Sequence, residues 1–173
     1  VLAMLIGLML AILIDQRVRA ESLWRTMFLY PLAVSFIVTG TVWGWLYNPE
    51  YGAINSFLRL IGLDSLAQPW LGQDSTALAA VMVPAIWLRV GFPMLLYLAA
   101  LQGINQEMYE AATVDGATRS QQFWHITMPS LRPAHYIVIA LSLIDSFKVF
   151  DLIYAMTYGG PGTATQVMGT WMY

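Results

Sequence analysis

The sequence predicts an all-α protein, a polytopic bundle of transmembrane helices. Of its 173 residues, 58% are hydrophobic and 10% are charged, and the mean hydropathy is +0.62. A soluble domain carries about 25% charged residues, so this chain can cover its surface only if much of that surface faces lipid. Long apolar runs alternate with short polar segments, as in a chain that crosses a membrane several times. The net charge of −2 argues against a nucleic-acid partner, and the absence of cysteine excludes disulfides and thiolate metal sites.

Five apolar segments are the candidate spans of one transmembrane domain covering residues 1–173. They are residues 1–14, 27–47, 76–101, 134–158 and the start of another at 166–173. As a helix the first segment would be about 21 Å long, short of a hydrocarbon core of about 30 Å. It also lacks the basic region and the cleavage pattern of a signal peptide. We therefore expect a fragment of a longer protein that lacks its first helix and most of its last helix.

The second span, residues 27–47, carries no charge and is long enough to cross a bilayer as one helix. Pro31 is expected in its first turns, where a missing N–H costs little. Gly40 and Gly44 form a GxxxG pattern, which permits close approach of another helix. Ordinary packing roles for the two glycines fit the same pattern equally well.

The loop after this span, residues 48–75, contains an amphipathic segment at 54–61 that predicts a short helix at the membrane interface. Trp70 is a candidate interfacial anchor.

Arginine positions predict the orientation. The segment 15–25 carries Arg17, Arg19 and Arg25, and the polar region 102–135 carries Arg119 and Arg132. The loop 48–75 carries Arg59 alone, so the positive-inside rule puts that loop outside and the loop 102–133 in the cytoplasm.

The cytoplasmic loop, residues 102–133, predicts a pair of short helices. Good helix formers precede Gly116, which supplies a break or a left-handed position. Ser120 can cap a second helix, whose apolar surface lies in residues 121–127. This helix is expected to end at Pro129. A rigid helical pair of this kind suits mechanical coupling to a partner, although the spacing alone fits an ordinary connecting loop as well.

This loop resembles the EAA signature of binding-protein-dependent ABC importer permeases. The matching residues are Glu110-Ala111-Ala112-x-x-Asp115-Gly116-Ala117, then Phe123, Ile126-Thr127-Met128-Pro129, Leu131 and Pro133. Met128 stands where leucine is usual. A second stretch is similar to the carbohydrate-importing branch, typified by the larger permease subunit of the maltose transporter. It reads Phe150-Asp151-x-Ile153-Tyr154-x-Met156-Thr157-x-Gly159-Gly160-Pro161-Gly162-x-Ala164-Thr165.

The resemblance implies the architecture of a type I ABC importer permease, with the helices of the loop seated in a cleft of a cytoplasmic ATPase. The implied coupling residues are Glu110, Ala111, Ala112, Asp115, Gly116 and Ala117. Glu110 and Asp115 would meet basic or donor groups of the ATPase, and closure of the ATPase pair would rock the membrane helices between two states. Glu110 could instead act only on the positive end of its own helix.

The resemblance also implies the assembly. The expected partners are a second permease subunit, an ATP-binding cassette ATPase dimer, an extracytoplasmic solute-binding protein, the lipid bilayer and a sugar-type substrate. ATP and Mg²⁺ would be held by the ATPase, so we expect no cofactor in this chain. The expected location is the prokaryotic cytoplasmic (inner) membrane.

Ionisable residues within the apolar spans are candidates for the substrate path, because buried charges in membranes are costly and usually functional or paired. Together with nearby aromatic residues they are Trp87, Arg89, Asp145, Lys148, Asp151 and Tyr154. Asp145, Lys148 and Asp151 recur at i+3 spacing and can pair along one helix. Two interpretations remain open, a structural ion-pair set or the lining of a polar route on which aromatic rings stack against sugars.

The chain has no sign of catalytic chemistry. Its single lysine, Lys148, is not part of a P-loop, and no G-x-S-x-G motif occurs. His125 and His135 lie ten residues apart without supporting cysteines, so no metal site is expected. We therefore predict a transport subunit and not an enzyme. The alternative is a secondary transporter or channel in which the intramembrane charges carry the coupling.

Overall fold

The computed structural model describes residues 1–15, 21–147 and 149–172. Every regular element in these ranges is helical, so the predicted all-α class is confirmed there. The predictions that rest on Arg17, Arg19 and Lys148 concern residues outside this description.

Twelve α-helices follow one another in the described ranges. They are α1 Leu2–Asp15, α2 Glu21–Leu29, α3 Phe36–Leu46, α4 Ala53–Leu60, α5 Asp74–Arg89, α6 Gly91–Gln102, α7 Gln106–Val114, α8 Arg119–Gln122, α9 Met128–Ser130, α10 Arg132–Phe147, α11 Asp151–Thr157 and α12 Met168–Trp171. Short 3₁₀ turns cover Tyr30–Ala33 and Asp64–Leu66, and a π-helical segment covers Phe123–Thr127.

The expected span 27–47 is not one helix. Helix α2 ends at Leu29, Pro31 lies in the 3₁₀ turn, and α3 begins at Phe36. Pro31 has no N–H to donate, and its ring disfavours the helical conformation of Tyr30 before it. The proline therefore lies where a helix ends, and its expected place in the first turns is wrong.

Proline also explains the break in the expected span 76–101. Helix α5 contains Pro84 and runs to Arg89, and α6 begins at Gly91 after a single residue. The ring of Pro93 would clash with the carbonyl of residue 89, four positions earlier, if the helix were continuous. The expected span 134–158 likewise comprises two helices, α10 and α11.

Among the described residues no single helix is both long and apolar enough to cross a bilayer. Two consecutive pairs reach that length and apolarity together, residues 22–33 with 36–46 and residues 74–89 with 91–102.

The chain divides into two units. The first comprises residues 1–32 and 89–144. Its core lies where α1 packs on α6, and the N-terminal part of α10 completes it. The buried members are Ala11, Ile14, Met94, Tyr97, Leu98, Leu101, Leu131, Ala134 and Val138. A Cβ on Gly7 would lie 2.8 Å from Cβ of Pro93, so the absence of a side chain lets α1 and α6 touch.

The second unit comprises residues 33–88 and 145–173. In it α3 packs on α11 through Gly40, whose added Cβ would lie 2.6 Å from Cβ of Ala155. Gly44 has open space around it, so only the first glycine of the GxxxG pattern makes a close helix contact here. After α11, the hydroxyl of the buried Thr165 lies 2.7 Å from both the carbonyl oxygen of Gly160 and the hydroxyl of Thr157, which closes the glycine-rich turn.

Residues 48–73 of the second unit form what we call the anchored loop, which contains α4. Asn55 is 1% exposed and uses both ends of its amide. Its Oδ1 accepts from Nε1 of Trp70 at 2.8 Å, and its Nδ2 donates to the carbonyl of Gln68 at 3.0 Å. The short helix predicted at 54–61 is thus present as α4, and its apolar side chains Phe57, Leu60 and Ile61 are exposed.

Candidate functional site

The candidate site is the polar hairpin, residues 105–130, in the first unit. Its first helix, α7, begins after Asn105, whose Oδ1 accepts from the N–H of Glu107 at 3.0 Å. Nδ2 of Asn105 donates to Oε2 of the same glutamate at 3.1 Å. The acidic residue in the first turn is therefore Glu107, so the alternative role of Glu110 as the partner of this helix end is not supported.

Helix α7 ends at a left-handed glycine, as the sequence predicts. Gly116 has φ of +79°. Its N–H donates to the carbonyl of Thr113 at 3.1 Å, and the N–H of Ala117 donates to the carbonyl of Ala112 at 2.9 Å. This pair of bonds is the Schellman arrangement, in which the glycine position requires positive φ. An added Cβ would meet nothing within 4 Å, so the backbone angle and not crowding selects glycine here.

The second arm of the hairpin begins earlier than predicted. Thr118, not Ser120, is the N-cap. Its Oγ1 accepts from the N–H of Gln121 at 3.3 Å, and Oε1 of Gln121 accepts from the N–H of Thr118 at 2.8 Å. This is a capping box, for which the sequence signal is threonine followed by glutamine three residues later. Ser120 lies inside the helix that Thr118 caps.

The second arm also continues past Pro129, to Ser130. Proline removes a donor and frees carbonyls in the preceding turn, and a local π turn is one way to accommodate it. The π-helical segment Phe123–Thr127 lies in that preceding turn, and the hydroxyl of Ser130 donates to the carbonyl of Ile126 at 2.7 Å. The predicted end of the second helix at Pro129 is therefore wrong.

Two side-chain hydrogen bonds join the arms of the hairpin. The hydroxyl of Tyr109 lies 2.8 Å from Oγ1 of Thr127. Nε2 of Gln122 donates to Oγ1 of Thr113 at 2.9 Å, and that hydroxyl donates to the carbonyl of Tyr109 at 2.8 Å. These four residues were not predicted from the sequence, because Gln122 and Thr127 are five positions apart and share a face only where the helix has a π turn.

The hairpin borders two cavities of the first unit. The smaller, about 320 Å³, is lined by Ala112, Asp115, Gly116, Ala117, Gln121, Gln122, His125 and Ile126. The larger, about 820 Å³, includes Asp15, Gln102, Tyr109, Glu110, Thr113, Arg119, Gln122 and Thr127 among its lining residues. Most of the predicted coupling residues thus share the smaller cavity. Glu110 lies in the larger one, apart from Asp115, and Ala111 is exposed.

Large apolar side chains are exposed on the hairpin. Val114, the last residue of α7, is 88% exposed, Trp124 is 61% exposed and Met108 is 47% exposed. The ring of Phe123 meets that of Trp124 edge-on at 5.3 Å, which fixes the direction of the indole. Large exposed apolar groups on an otherwise polar loop are typical of a protein-protein contact surface.

The predicted substrate-path residues fall in both units. Arg89 belongs to the first, and Trp87, Asp145, Asp151 and Tyr154 belong to the second. Within the second unit Trp87 lies beside Trp43, with ring centroids 6.2 Å apart.

Tyr154 stacks on Phe150 at 5.2 Å and meets Tyr158 at 4.5 Å. Asp145 and Asp151 are exposed. The pairing of these two carboxylates with Lys148 stays a prediction.

Neither histidine belongs to a metal cluster in the described part of the chain, where no group of three or more potential ligands is assembled. Nδ1 of His125 lies 2.9 Å from the carbonyl of Gln121, and Nδ1 of His135 lies 2.9 Å from that of Leu131, each one turn earlier.

Pairs of apolar helices that are interrupted by a bend, together with a helical hairpin in a polar loop, are typical of membrane permeases. The chain belongs to the family described as binding-protein-dependent transport system inner membrane components, which it matches over residues 3–173. The predicted family is thus confirmed. Family membership makes the chain an inner-membrane component of a transport system, as the sequence predicted.

Individual relatives support this assignment. The chain is 42% identical over 169 residues to a probable ABC transporter permease protein, YurN, of Bacillus subtilis, covering 96% of this chain and 58% of the relative. It is 38% identical over 161 residues to the trehalose/maltose transport system permease protein MalF of Thermococcus litoralis, covering 93% and 54%.

A solved structure shares the fold, the crystal structure of a bacterial alginate ABC transporter in complex with an alginate pentasaccharide-bound periplasmic protein. The TM-score is 0.84 at 28% identity, covering 98% of this chain and 59% of that one. The chain therefore spans a little over half the length of the relatives it matches.

Proposed function

We propose that this chain is part of the permease subunit of an ABC importer for carbohydrates. The observation that carries the proposal is the polar hairpin within a chain of this family. Relatives that are named for trehalose and maltose, for xylose and arabinose, and for alginate support carbohydrate as the substrate class. The alternative of a secondary transporter or channel has no support in the family assignment.

The proposed assembly has four kinds of partner. They are a second permease subunit, an ATP-binding cassette ATPase dimer with its ATP and Mg²⁺, an extracytoplasmic solute-binding protein, and the bilayer. The periplasmic protein in the alginate transporter complex is the structural support for the binding protein. In this proposal no cofactor is held by this chain.

In the proposed assembly the polar hairpin is the contact with the ATPase. Val114 and Trp124 supply apolar area for the contact, since they are exposed and near the helix ends. The cavity of about 320 Å³ is large enough for a side chain of the partner, and Asp115 in its lining favours a basic one. Glu110, in the other cavity, would serve a different contact. Motion of the ATPase pair would then move the hairpin and, through it, the membrane helices.

For the substrate path we propose Trp87 and Tyr154 as surfaces for sugar rings, because both are exposed and each is held by aromatic neighbours. Arg89, Asp145, Lys148 and Asp151 remain candidates for polar contacts along the path or for structural pairing.

The test uses the full-length permease assembled with its neighbouring permease, ATPase and binding protein. A single cysteine replaces Val114, and another is placed on the candidate cleft of the ATPase. We expect a thiol crosslink that depends on the nucleotide state, together with ATP hydrolysis stimulated by sugar-loaded binding protein.

The matched control is Tyr51→Cys, a residue that is 70% exposed in the anchored loop and is expected outside the cytoplasm. It should give no crosslink. Transport that persists without ATP, combined with no crosslink at position 114, would refute the proposal.

A further inference from the structure

We propose that Tyr109, Thr113, Gln122 and Thr127 form a polar clamp that sets how much sugar is transported for each ATP hydrolysed. The inference rests on the proposed function and adds positioning residues that act through the hairpin, not by touching ATP or substrate. The clamp is the pair of hydrogen bonds between the two arms, Tyr109 to Thr127 and Gln122 to Thr113.

Buried apolar packing contributes little to holding the two arms of the hairpin against each other. Neither α7, α8 nor α9 contains a buried residue, and in the π segment the buried residue is Thr127 itself. Helical segments this short are not stable on their own in water. The angle between the arms therefore depends on the turn at Gly116 and on the two bonds of the clamp.

The two bonds act at different heights along α7. Tyr109 and Thr113 are four residues apart, which is about one turn or 6 Å along the helix axis. Two bonds separated in this way resist both opening and twisting of the arms, whereas one bond would leave a pivot. The hydroxyl of Thr113 also donates to the carbonyl of Tyr109, which fixes its orientation as an acceptor for Gln122.

The clamp connects α7 to the core of the first unit. The carbonyl of Thr127 accepts from the N–H of Leu131 at 3.1 Å. Leu131 is fully buried in the cluster that contains Met94 and Leu98. A force on the exposed Val114 can thus pass from α7 through Thr127 to the packed helices. Residues 103–105 also join α7 directly to α6, so the clamp gives α7 a second connection to the core, through the second arm.

The measurement is the amount of sugar imported per ATP hydrolysed, by the complete transporter in proteoliposomes with saturating binding protein. Tyr109→Phe and Thr127→Val each remove one hydroxyl, and Gln122→Met keeps the chain length. For Tyr109→Phe combined with Gln122→Met we expect the ratio to fall by about threefold or more. The controls are Tyr136→Phe on an exposed tyrosine of α10 and Thr26→Val on a hydroxyl bonded within its own helix, and both should keep the wild-type ratio.

A rescue separates positioning from folding. The chain has no cysteine, so Thr113→Cys with Gln122→Cys can be bridged by a short thiol-specific bifunctional reagent, in a background whose other subunits also lack cysteine. The unbridged pair should show a low ratio, and bridging should restore it. Failure of the bridge to restore the ratio, or a wild-type ratio in the clamp variants, would overturn the inference. If the double variant does not assemble, Tyr109→Phe and Thr127→Val alone decide, because each deletes a single oxygen.

The crosslink at position 114 keeps the two proposals apart. If the crosslink forms but the clamp variants keep the wild-type ratio, the proposed role of the clamp is refuted and the coupling role of the hairpin stands. Loss of the crosslink in the otherwise wild-type protein removes both.

Discussion

The polar hairpin and the anchored loop end a helix in the same way but are held in place differently. Two residues after the end of α4 lies Gly62, with φ of +78°, and two residues after the end of α7 lies Gly116, with φ of +79°. In each, the two backbone bonds of the Schellman arrangement form, at 3.1 and 2.9 Å. The side-chain hydrogen bonds of the anchored loop converge mainly on one buried residue, Asn55, whereas the hairpin depends on several exposed or half-buried bonds. A region held by a single buried group should fail all at once, and a region held by distributed bonds should respond in steps.

The largest expected effect is that of Asn55→Ala. The change leaves the indole N–H of Trp70 and the carbonyl of Gln68 without their partner in a partly buried place, at a cost of about 2 kcal/mol. Arg59 is the sole trypsin site of the loop 48–75. Tryptic cleavage there should rise about 30-fold if opening is fast relative to cutting. The control is Asn48→Ala. The side-chain oxygen of Asn48 accepts two hydrogen bonds that are exposed and local, so this change should raise cleavage far less. Equal effects of the two variants would contradict the single-anchor description.

A middle effect is expected at the two glycines. Alanine in place of Gly116 or Gly62 must adopt a left-handed conformation, at about 1 kcal/mol in either region. Hydrogen exchange at Ala117 or Leu63, whose amides close the respective turns, should speed up about fivefold.

The two glycine variants should differ in function. Gly116→Ala should lower sugar import per ATP, whereas Gly62→Ala should leave that ratio unchanged. If Gly62→Ala lowered the ratio equally, the functional distinction between the two regions would be wrong.

The smallest expected effect concerns the cap of α8. Thr118→Ala removes the acceptor for the N–H of Gln121, a long and exposed hydrogen bond, and should cost about 0.7 kcal/mol. Ser120→Ala, two residues further on, should change the stability by no more than about 0.5 kcal/mol. Hydrogen exchange over residues 119–122 measures both. The opposite order would favour Ser120 as the cap, as predicted from the sequence.

Features that depend on one residue and its neighbours were predictable. Gly116 was assigned to a break from composition alone, and the structure gives it positive φ. The capping box of Thr118 and Gln121 is equally local, and the error at Ser120 came from placing the helix two residues late. The effects of Pro31 and Pro93 follow from their missing N–H and ring clash, yet a long apolar run conceals such breaks when only length and charge are counted.

Features that depend on the path of the chain were not predictable. The clamp requires the π turn, which shifts Thr127 relative to Gln122 and leaves no trace in hydrophobic periodicity. The sequence predicted an amphipathic helix at 54–61 but no particular role for Asn55 within it. In the structure it is buried, because the carbonyl of Gln68 and the indole of Trp70 supply a polar surrounding from thirteen and fifteen residues away.

The open space around Gly116 and Gly62 has a consequence for chirality. An added Cβ would meet nothing within 4 Å at either glycine, so neither position excludes a side chain by its size. What each position selects is the sign of φ, and positive φ is the ordinary conformation of a D-residue. A D-alanine introduced by chemical ligation should therefore be accepted where L-alanine is not. Among natural side chains asparagine should be tolerated best, since it adopts the left-handed region most readily. At both positions, the tolerance of a substitution would then follow how readily the new residue adopts positive φ, and it would not follow the volume of the side chain.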